Sequence, residues 1–189
     1  MENLQELLEK VYKVSPYKEG YYNKTKFNPI YNETYGEVTQ KSTNAIVNAF
    51  SSHFNENTVF YDLGCGLGKM VIHIGLQYNP KKSCGIEFSK ERTQAAIDMK
   101  NEIYPNNDNI SFIIADILKC DYSDATVIYL DNTMFDDEIT RKIIDKAPKG
   151  CLFICRRLSV YSTDIEFSKL HRDTLATTYN KLYVFHFMK

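Results

Sequence analysis

The sequence of 189 residues contains no tryptophan, only 5 prolines and 8 glycines, and no excess of either charge, since its formal net charge is -1. It also has no apolar run near the roughly 20 residues that a membrane-spanning helix requires. No basic and apolar leader follows Met1, so we expect an intracellular protein, cytoplasmic or nuclear, that is neither secreted nor held in a membrane. The small net charge weakens the case for a nucleic-acid substrate without excluding it.

Cysteine is present, but in a pattern that argues against disulfides and zinc. The sequence has five cysteines, an odd number, and no C-x-x-C pair: Cys65, Cys84, Cys120, Cys151 and Cys155. A thiol inside an apolar strand behaves mostly as a small hydrophobic group. We therefore predict a reducing compartment and no metal site. The single histidine of interest, His73, lies on an apolar helix face, which favours an interior group over a catalytic base.

The N-terminal 40 residues divide into a helix and an aromatic segment. Leucines and a valine at helical spacing predict an amphipathic helix up to Ser15, and its apolar stripe is expected to pack on the body of the protein rather than on a partner. Residues 16–36 then carry tyrosines among lysines. Such a segment can stack on single-stranded nucleic acid or cover a ligand pocket, and we favour the lid. Residues 41–189 form the main domain.

The stretch from Val59 to Lys69 is the most informative part of the sequence. It reads V-F-Y-D-L-G-C-G-L-G-K, an apolar run and an acid followed by glycines at alternate positions, Gly64, Gly66 and Gly68. A strand that enters a glycine-rich turn before a helix lets bare backbone approach a ligand. The G-x-G-x-G spacing differs from the G-x-G-x-x-G of dinucleotide sites and from the P-loop. With Asp62 before it, the turn resembles the cofactor loop of S-adenosylmethionine-dependent methyltransferases.

Strands alternate with helices along the rest of the chain, which predicts an α/β fold with a parallel sheet. The five predicted strands are Thr58–Leu63, a strand ending at Glu87, one ending at Asp116, Thr126–Leu130 and Cys151–Cys155. The pattern predicts a helix from Gln40 to Phe54 before them. Two tail strands, Thr174–Tyr179 and Lys181–Phe187 joined at Asn180, predict a closing hairpin. The expected architecture is a seven-stranded Rossmann-like sheet with helices on both faces and an antiparallel last strand.

Polar side chains follow the predicted strands at the edge where such sheets bind ligands. Glu87 lies about 20 residues past the last glycine, where an acid can accept both ribose hydroxyls. Asp116 can accept a hydrogen bond from an adenine amino group, with Ile117 packing against the ring. Asp131 and Arg156 follow the fourth and fifth strands.

These segments together resemble one family, the non-SET histone-lysine methyltransferases called disruptor of telomeric silencing, or Dot-one. Tyr35-Gly36-Glu37 matches the family's Y-G-E motif, and the segment from Asp62 to Gly68 matches its D-L-G-x-G-x-G. Gly85-Ile86-Glu87 matches its G-x-E. Thr126 to Phe135, T-V-I-Y-L-D-N-T-M-F, is similar to its S-V-I-F-V-N-N-F-x-F. The match covers about residues 31–155.

The resemblance implies methyl transfer from S-adenosylmethionine to a lysine side chain of a protein, a core histone in the best-known members. Residues 41–189 would form the catalytic domain. The residues expected around the reacting groups are Tyr35, Asp131, Asn132 and Phe135. The residues expected to bind the cofactor are Tyr35, Glu37, Thr39, Asp62, Gly64, Gly66, Gly68, Lys69, Glu87, Asp116, Ile117 and Asp131.

The chain departs from the family pattern at two site positions. Lys69 replaces a glutamine; it either pairs with the carboxylate of the cofactor or is a solvated lysine. Asp131 replaces the first asparagine of the N-N-F match, whereas Asn132 keeps the second. The basic extension that family members use to hold nucleosomal DNA is absent from the sequence, which argues against nucleosome binding more than against the chemistry.

A lysine nucleophile must lose its proton, and its ordinary pKa is about 10.4. An apolar channel lined by Tyr35, Phe135 and the tyrosine lid would disfavour the charged form. An ionised Asp131 close to the amine would instead hold the ammonium. Asp131 is therefore expected either to face polar groups of the cofactor or to orient the amine.

Two other functions stay open: methylation of nucleic acid or a small molecule, and cofactor binding without turnover. The segment Asp131-Asn132-Thr133-Met134 has no proline, unlike the D/N-P-P-Y/F tetrad of adenine methylases. Arg156 and Arg157 could contact an acidic patch or a phosphate of a substrate, although a solvated strand end is the favoured interpretation.

Overall fold

The computed structural model describes residues 3–14, 37–157, 171–176 and 181–189. The α-helices are α1 (Leu4–Lys13), α2 (Gln40–Ala49), α3 (Lys69–Tyr78), α4 (Lys90–Ile103) and α5 (Asp137–Lys146). The strands are β1 (Val59–Leu63), β2 (Lys82–Glu87), β3 (Ile110–Ile114), β4 (Val127–Leu130), β5 (Leu152–Cys155), β6 (His171–Ala176) and β7 (Lys181–Met188). Short 3-10 helices cover Ser51–His53 and Asn132–Met134.

All of these strands belong to one mixed sheet with the order β3-β2-β1-β4-β5-β7-β6. Neighbours from β3 to β5 pair in parallel. The last strand, β7, runs antiparallel to both β5 and β6. The predicted α/β class with an antiparallel last strand is confirmed. The first five strands can pair in parallel because each is joined to the next by a crossover of a dozen or more residues.

Apolar side chains pack on both faces of the sheet. On one face, β1, β4 and β5 contribute Phe60, Val127 and Ile154 to a cluster that includes residues of α1, α2, α3 and α4. On the other face, Tyr61 and Ile128 pack with residues of α5. Successive residues of the central strands therefore point alternately to the two covered faces of the sheet. Because both faces are buried, the strands are apolar at nearly every position.

Helix α1 packs on the body of the protein, as its pattern predicts. Asn3 and Glu6 form a capping box at its start. Leu8 and Val11 are 4% and 0% exposed, and Val11 joins the cluster around α3. The Tyr12 hydroxyl lies 2.9 Å from Thr43 Oγ1 and 3.0 Å from His73 Nδ1. These contacts tie α1 to α2 and α3.

Two elements differ from their predicted bounds by three residues or more, and β3 ends at Ile114, two residues before the predicted Asp116. Helix α2 ends at Ala49, not Phe54, because the weak helix formers Ser51 and Ser52 follow and the chain tightens into a 3-10 turn. Strand β6 begins at His171 and ends at Ala176, three residues earlier than expected. Since Ala176 pairs with Lys181, the connection spans residues 177–180. A single residue at Asn180 could not reverse an antiparallel pair, which needs at least two.

None of the helices in the described ranges has the length and apolar character needed to cross a bilayer. All five cysteines are free thiols.

Candidate active site

The turn between β1 and α3 is a bend of left-handed glycines at the carboxyl edge of the sheet. Gly64, Gly66 and Gly68 have φ angles of 86°, 56° and 71°. A side chain at Gly68 would also clash, because a Cβ atom there would lie 2.3 Å from the Phe112 ring. The backbone therefore approaches its neighbours at a position that only glycine allows.

The bend is fixed to the end of β2. The N–H groups of Gly64 and Cys65 donate to the carbonyl oxygen of Ile86 at 2.8 and 3.1 Å. The Gly66 N–H donates to Glu87 Oε2 at 3.0 Å. Two strand ends and the helix start of α3 thus meet in one small region, as expected for ligand sites of parallel sheets.

Glu87 is buried, with a side chain only 7% exposed, and ends β2. Its Oε1 atom accepts hydrogen bonds from Ser89 N–H at 2.9 Å and from Arg92 Nη2 and Nε at 2.9 and 3.2 Å. Arg92 therefore compensates the buried charge. Each carboxylate oxygen has at least two lone pairs, so Oε2 can accept a donor in addition to Gly66.

A pocket of about 40 Å³ lies beside the bend. Predicted site residues lining it are Glu37, Asp62, Gly64, Lys69 and Asp131. Its other lining residues are Val38, Cys65, Met70 and Tyr129, which the sequence analysis did not select. Their apolar or aromatic character in a strand and a helix start predicts burial alone, and nothing in the pattern marks them as pocket residues.

Lys69 is the first residue of α3 and is buried, with 7% of its side chain exposed. Its Nζ atom donates to Glu37 Oε2 and to the carbonyl oxygen of Val14, both at 2.5 Å. The interpretation of Lys69 as a solvated lysine is therefore wrong. Its contact with Glu37 offsets a negative charge at the pocket wall.

Asp62 carries the most perturbed carboxyl group of the pocket. Asp62 is 5% exposed, and it lines the pocket together with Asp131. Burial, together with the carboxylates of Asp131 and Glu87, raises its pKa to about 8. Asp62 is therefore largely protonated at neutral pH, and a cation in the pocket would favour its ionised form.

The segment after β4 holds the predicted catalytic residues Asp131 and Asn132. Asp131 Oδ1 accepts from the N–H and Oγ1 of Thr133, at 3.2 and 2.5 Å, and so caps the 3-10 helix. Asn132 is 2% exposed, and within the described residues its side chain bonds to backbone groups: its Oδ1 accepts from Arg156 and Arg157 N–H, and its Nδ2 donates to Arg157 O at 2.8 Å. In the structure Asn132 joins the ends of β4 and β5.

Arg156 and Arg157 follow β5 on the same rim. Arg157 is exposed and its Nη1 atom donates to the carbonyl oxygen of Thr133 at 3.1 Å. Arg156 is half-buried, and its Nε atom is buried without a hydrogen-bond partner in the described part of the chain.

Asp116 and Ile117 follow β3, at the end of the edge strand. Asp116 Oδ1 accepts from Leu118 N–H at 2.9 Å, and Lys119 Nζ lies 3.7 Å from Oδ2. Ile117 packs at the margin of the core beside α5. The nearby Phe88, directly after Glu87, is 54% exposed, although an aromatic ring usually gains from burial. Sequence reasoning missed Phe88, whose signal is an aromatic residue immediately after a strand-end acid.

The remaining predicted residues have different positions. Phe135 lies over the glycine bend, since a Cβ atom at Gly64 would be 3.6 Å from the Phe135 ring. Thr39 is exposed and caps α2 through Ser42 N–H. Tyr35, Gly36 and the tyrosine-rich lid segment lie outside the described residues.

His73 is fully buried, as expected for an interior group. Its Nε2 atom lies 2.8 Å from Gln77 Oε1 and its Nδ1 atom 3.0 Å from the Tyr12 hydroxyl. Burial lowers its pKa. Within the described ranges, no cluster of three histidine, cysteine or acidic residues is placed to hold a metal ion.

Comparison with known proteins places this geometry in a family. The sequence profile of the family described as "Histone methylation protein DOT1" matches residues 13–184. A protein-lysine N-methyltransferase of Saccharolobus islandicus (strain REY15A) is 32% identical over 83 residues, which cover 43% of this chain and 47% of that protein. An H3 lysine-79 specific histone-lysine N-methyltransferase of Caenorhabditis elegans is 28% identical over 123 residues, 59% of this chain and 13% of that protein.

The chain spans less than half the length of these curated relatives. Among solved structures, an RNA methyltransferase from Salinibacter ruber in complex with S-adenosyl-L-homocysteine superposes with a TM-score of 0.63 at 18% identity, covering 81% of this chain and 93% of that chain. A magnesium protoporphyrin IX methyltransferase from Synechocystis with bound S-adenosylmethionine gives 0.61 at 10% identity, covering 100% and 98%. These likenesses show a shared fold. Because the profile matches nearly the whole chain, the protein belongs to the DOT1 family.

Proposed function

We propose that this DOT1-family chain transfers a methyl group from S-adenosylmethionine to the side-chain amine of a lysine in a protein. The observation that carries the proposal is the pocket beside the glycine bend, where Asp62, Glu37 and Asp131 converge at the end of β1 and β4. Both curated relatives named above are lysine methyltransferases by name, which supports a lysine acceptor.

The residues present fit S-adenosylmethionine. The second lone pair of Glu87 Oε2 suits a ribose hydroxyl, and Asp116 Oδ2 suits an adenine amino group. Asp62, protonated when the pocket holds no cation, gains a favourable charge interaction once an ammonium or sulfonium enters. Phe88 and Ile117 offer apolar surface for a flat base near Asp116.

When bound, S-adenosylmethionine supplies a methyl group that its sulfonium already activates, so the protein need only orient the acceptor and exclude water. Phe135 covers the glycine bend and gives the reaction region an apolar wall. Such a wall disfavours the ammonium form of a target lysine and so promotes its deprotonation. In this proposal Asp131, which follows buried β4 and lines the pocket, orients the amine by hydrogen bonding.

Asn132 acts through other groups. Its three hydrogen bonds to the backbone of Arg156 and Arg157 hold the end of β5 beside Asp131. Asn132 is therefore a positioning residue in this proposal, and Tyr35 and Glu37 are its expected counterparts on the N-terminal side of the pocket.

The substrate class is proposed as a protein with an accessible lysine, with a core histone as the first candidate because of the C. elegans relative's name. Arg157, which is exposed on the rim, would contact acidic groups around the target lysine. The net charge of -1 does not favour broad binding to a polyanion.

The test is a transfer assay with radiolabelled S-adenosylmethionine and separate pools of free histones, nucleosomes, RNA and cell extract. The proposal expects label in lysine residues of a protein pool, identified by hydrolysis to methyl-lysine. Label confined to RNA or to small molecules would contradict it, and so would binding of the cofactor without transfer to any pool. A Gly66→Val variant, which blocks the bend, is the matched inactive control.

A further inference from the structure

Tyr129 carries a buried hydroxyl group that the roles above leave unused. It lies on β4, is 1% exposed, and its hydroxyl has no hydrogen-bond partner among the residues that the structure describes. An unpaired buried hydroxyl costs folding free energy that a phenylalanine of the same shape would avoid. The strand-four motif that the sequence resembles has phenylalanine at this position. The hydroxyl is therefore expected to serve a ligand.

The position of Tyr129 places that ligand in the pocket. Tyr129 lines the pocket together with Asp62, Lys69 and Asp131. It pairs with Asp62 across the β1–β4 ladder, so both side chains lie on the same face of the sheet. Burial and the carboxylates of Asp131 and Asp62 raise the pKa of Tyr129 well above its usual value. The phenol is thus protonated at physiological pH and is available as a donor.

A second donor lines the same pocket. The buried Lys69 ammonium contributes to the wall, and it has three N–H donors, of which Glu37 and Val14 accept two. The wall therefore presents donors from Tyr129 and Lys69 and carboxyl groups from Asp62 and Asp131. Such a mixed set complements a zwitterion, whose carboxylate faces the donors and whose ammonium faces the acids. An α-amino acid is a zwitterion of this kind.

We propose that Tyr129 is a specificity-determining residue whose hydroxyl donates a hydrogen bond to the carboxylate at the amino-acid end of the methyl donor. This inference rests on the proposed function, since it assigns the pocket to that part of S-adenosylmethionine. The proposed contact is made by Tyr129, a position at which this sequence differs from the strand-four motif that it resembles.

The test compares two ligands on two variants by isothermal titration calorimetry. S-adenosylhomocysteine carries the amino-acid end, whereas 5′-methylthioadenosine lacks it. For Tyr129→Phe we expect the affinity for S-adenosylhomocysteine to fall about tenfold, or about 1.4 kcal/mol, with the affinity for methylthioadenosine unchanged. Tyr122→Phe is the matched control, because the Tyr122 hydroxyl is also buried and without a partner but lies on the opposite face of the sheet, in the cluster beside α5. It should bind both ligands like the wild type.

The outcomes separate this inference from the proposed function. Wild-type chain that binds neither ligand removes the proposed function and the inference together. Wild-type chain that binds S-adenosylhomocysteine while Tyr129→Phe binds it equally well overturns the inference alone. An equal loss for both ligands in Tyr129→Phe also overturns it, because the ring would then act through packing.

A third ligand tests the carboxylate directly. Decarboxylated S-adenosylmethionine keeps the amine and the sulfonium but lacks the carboxylate. We expect the wild-type chain to prefer S-adenosylmethionine over this analogue, and the preference to shrink in Tyr129→Phe but not in Tyr122→Phe. A preference that is the same in all three proteins would overturn the inference.

Discussion

At the residue scale, the carboxyl groups at and near the pocket differ in whether a neighbouring cation offsets their negative charge. Glu87 is buried next to Arg92, whereas Asp62 is buried beside two further acids. The Arg92 guanidinium therefore offsets the Glu87 carboxylate, whereas burial beside Asp131 and Glu87 raises the pKa of Asp62. A pocket of this kind exerts more attraction on a cation once Asp62 has lost its proton.

Asp62 makes the stability of the protein depend on pH. Its pKa is raised from 3.8 in the unfolded chain to about 8 in the folded one, so the folded state holds the proton more tightly. This contribution to stability is complete below pH 4 and is lost as the pH rises towards 8, with a total of several kcal/mol as an upper bound. We expect the free energy of unfolding of Asp62→Asn, measured with urea at pH 5, 6, 7 and 8, to fall less with rising pH than that of the wild type. Parallel pH dependences would contradict the assignment.

Asp131 gives a prediction for the rate of methyl transfer. If the ionised carboxylate lies beside the target amine, it raises the pKa of that amine. Asp131→Asn should then move the acidic limb of the pH–rate profile to lower pH, and loss of the orienting contact should lower kcat/KM by roughly 10- to 100-fold. Glu138→Gln is the control, since Glu138 is exposed and pairs only with Lys142 on α5. A profile and rate equal to those of the wild type would remove Asp131 from the site.

Motif spacing predicted the pocket at the residue scale, but it could not predict the state of its residues. Asp62 and Asp131 line one pocket, as their positions near the ends of β1 and β4 indicate, and Glu37, selected from the Y-G-E match, lines it with them. The partner of Lys69 includes the carbonyl oxygen of Val14, which lies 55 residues earlier in the chain. Contacts between residues so far apart in the sequence depend on how the helices pack, and the spacing of residues within a motif does not predict them.

At the element scale, Lys69 links helix α3 to the N-terminal part of the chain. The ammonium group contacts the end of α1 through Val14 and the start of the α2 segment through Glu37. One buried cation therefore joins Val14 and Glu37 at the start of α3, next to the glycine bend.

This link predicts a strong effect on stability. Lys69→Met removes the cation from beside the Glu37 carboxylate, which is only 19% exposed, and should cost about 2–4 kcal/mol of unfolding free energy. The double variant Lys69→Met with Glu37→Gln removes the charge as well and should recover part of that loss. Urea unfolding of the single and double variants gives the coupling energy. Additive losses would show that the two side chains do not interact.

Element types were predictable from periodicity, whereas their ends depended on tertiary contacts. The strands β1, β2, β4 and β5 are short apolar runs bounded by polar residues. This pattern predicts strands because a strand covered on both faces of the sheet needs apolar side chains on both sides. The start of β7 at Lys181 was predicted correctly, whereas β6 was predicted three residues too late, because its position is set by its pairing with β7 and not by the turn residue.

At the scale of the whole molecule, α1 is part of the core and not an appendage. Leu8 is 4% exposed on the inner face of α1, whereas Leu4, one turn earlier, is 40% exposed. The two leucines are a matched pair for measuring how firmly α1 is held. Leu8→Ala should cost about 2–4 kcal/mol and Leu4→Ala less than about 1 kcal/mol.

Thermal and urea unfolding of both leucine variants check this prediction. A loss of about 3 kcal/mol corresponds to a fall in Tm of about 6–12 °C for a chain of this size. Equal and small losses at Leu8 and Leu4 would show that α1 detaches without affecting the rest of the domain.

The central claim is that the glycine bend and the acids of the neighbouring strand ends bind S-adenosylmethionine and its product. Calorimetric titration of the wild-type chain with S-adenosylhomocysteine tests this most directly, because it needs no knowledge of the methyl acceptor. We expect saturable binding of one ligand per chain, with a rise in Tm that grows with ligand concentration. Absence of heat and of any shift in Tm at millimolar ligand would contradict it.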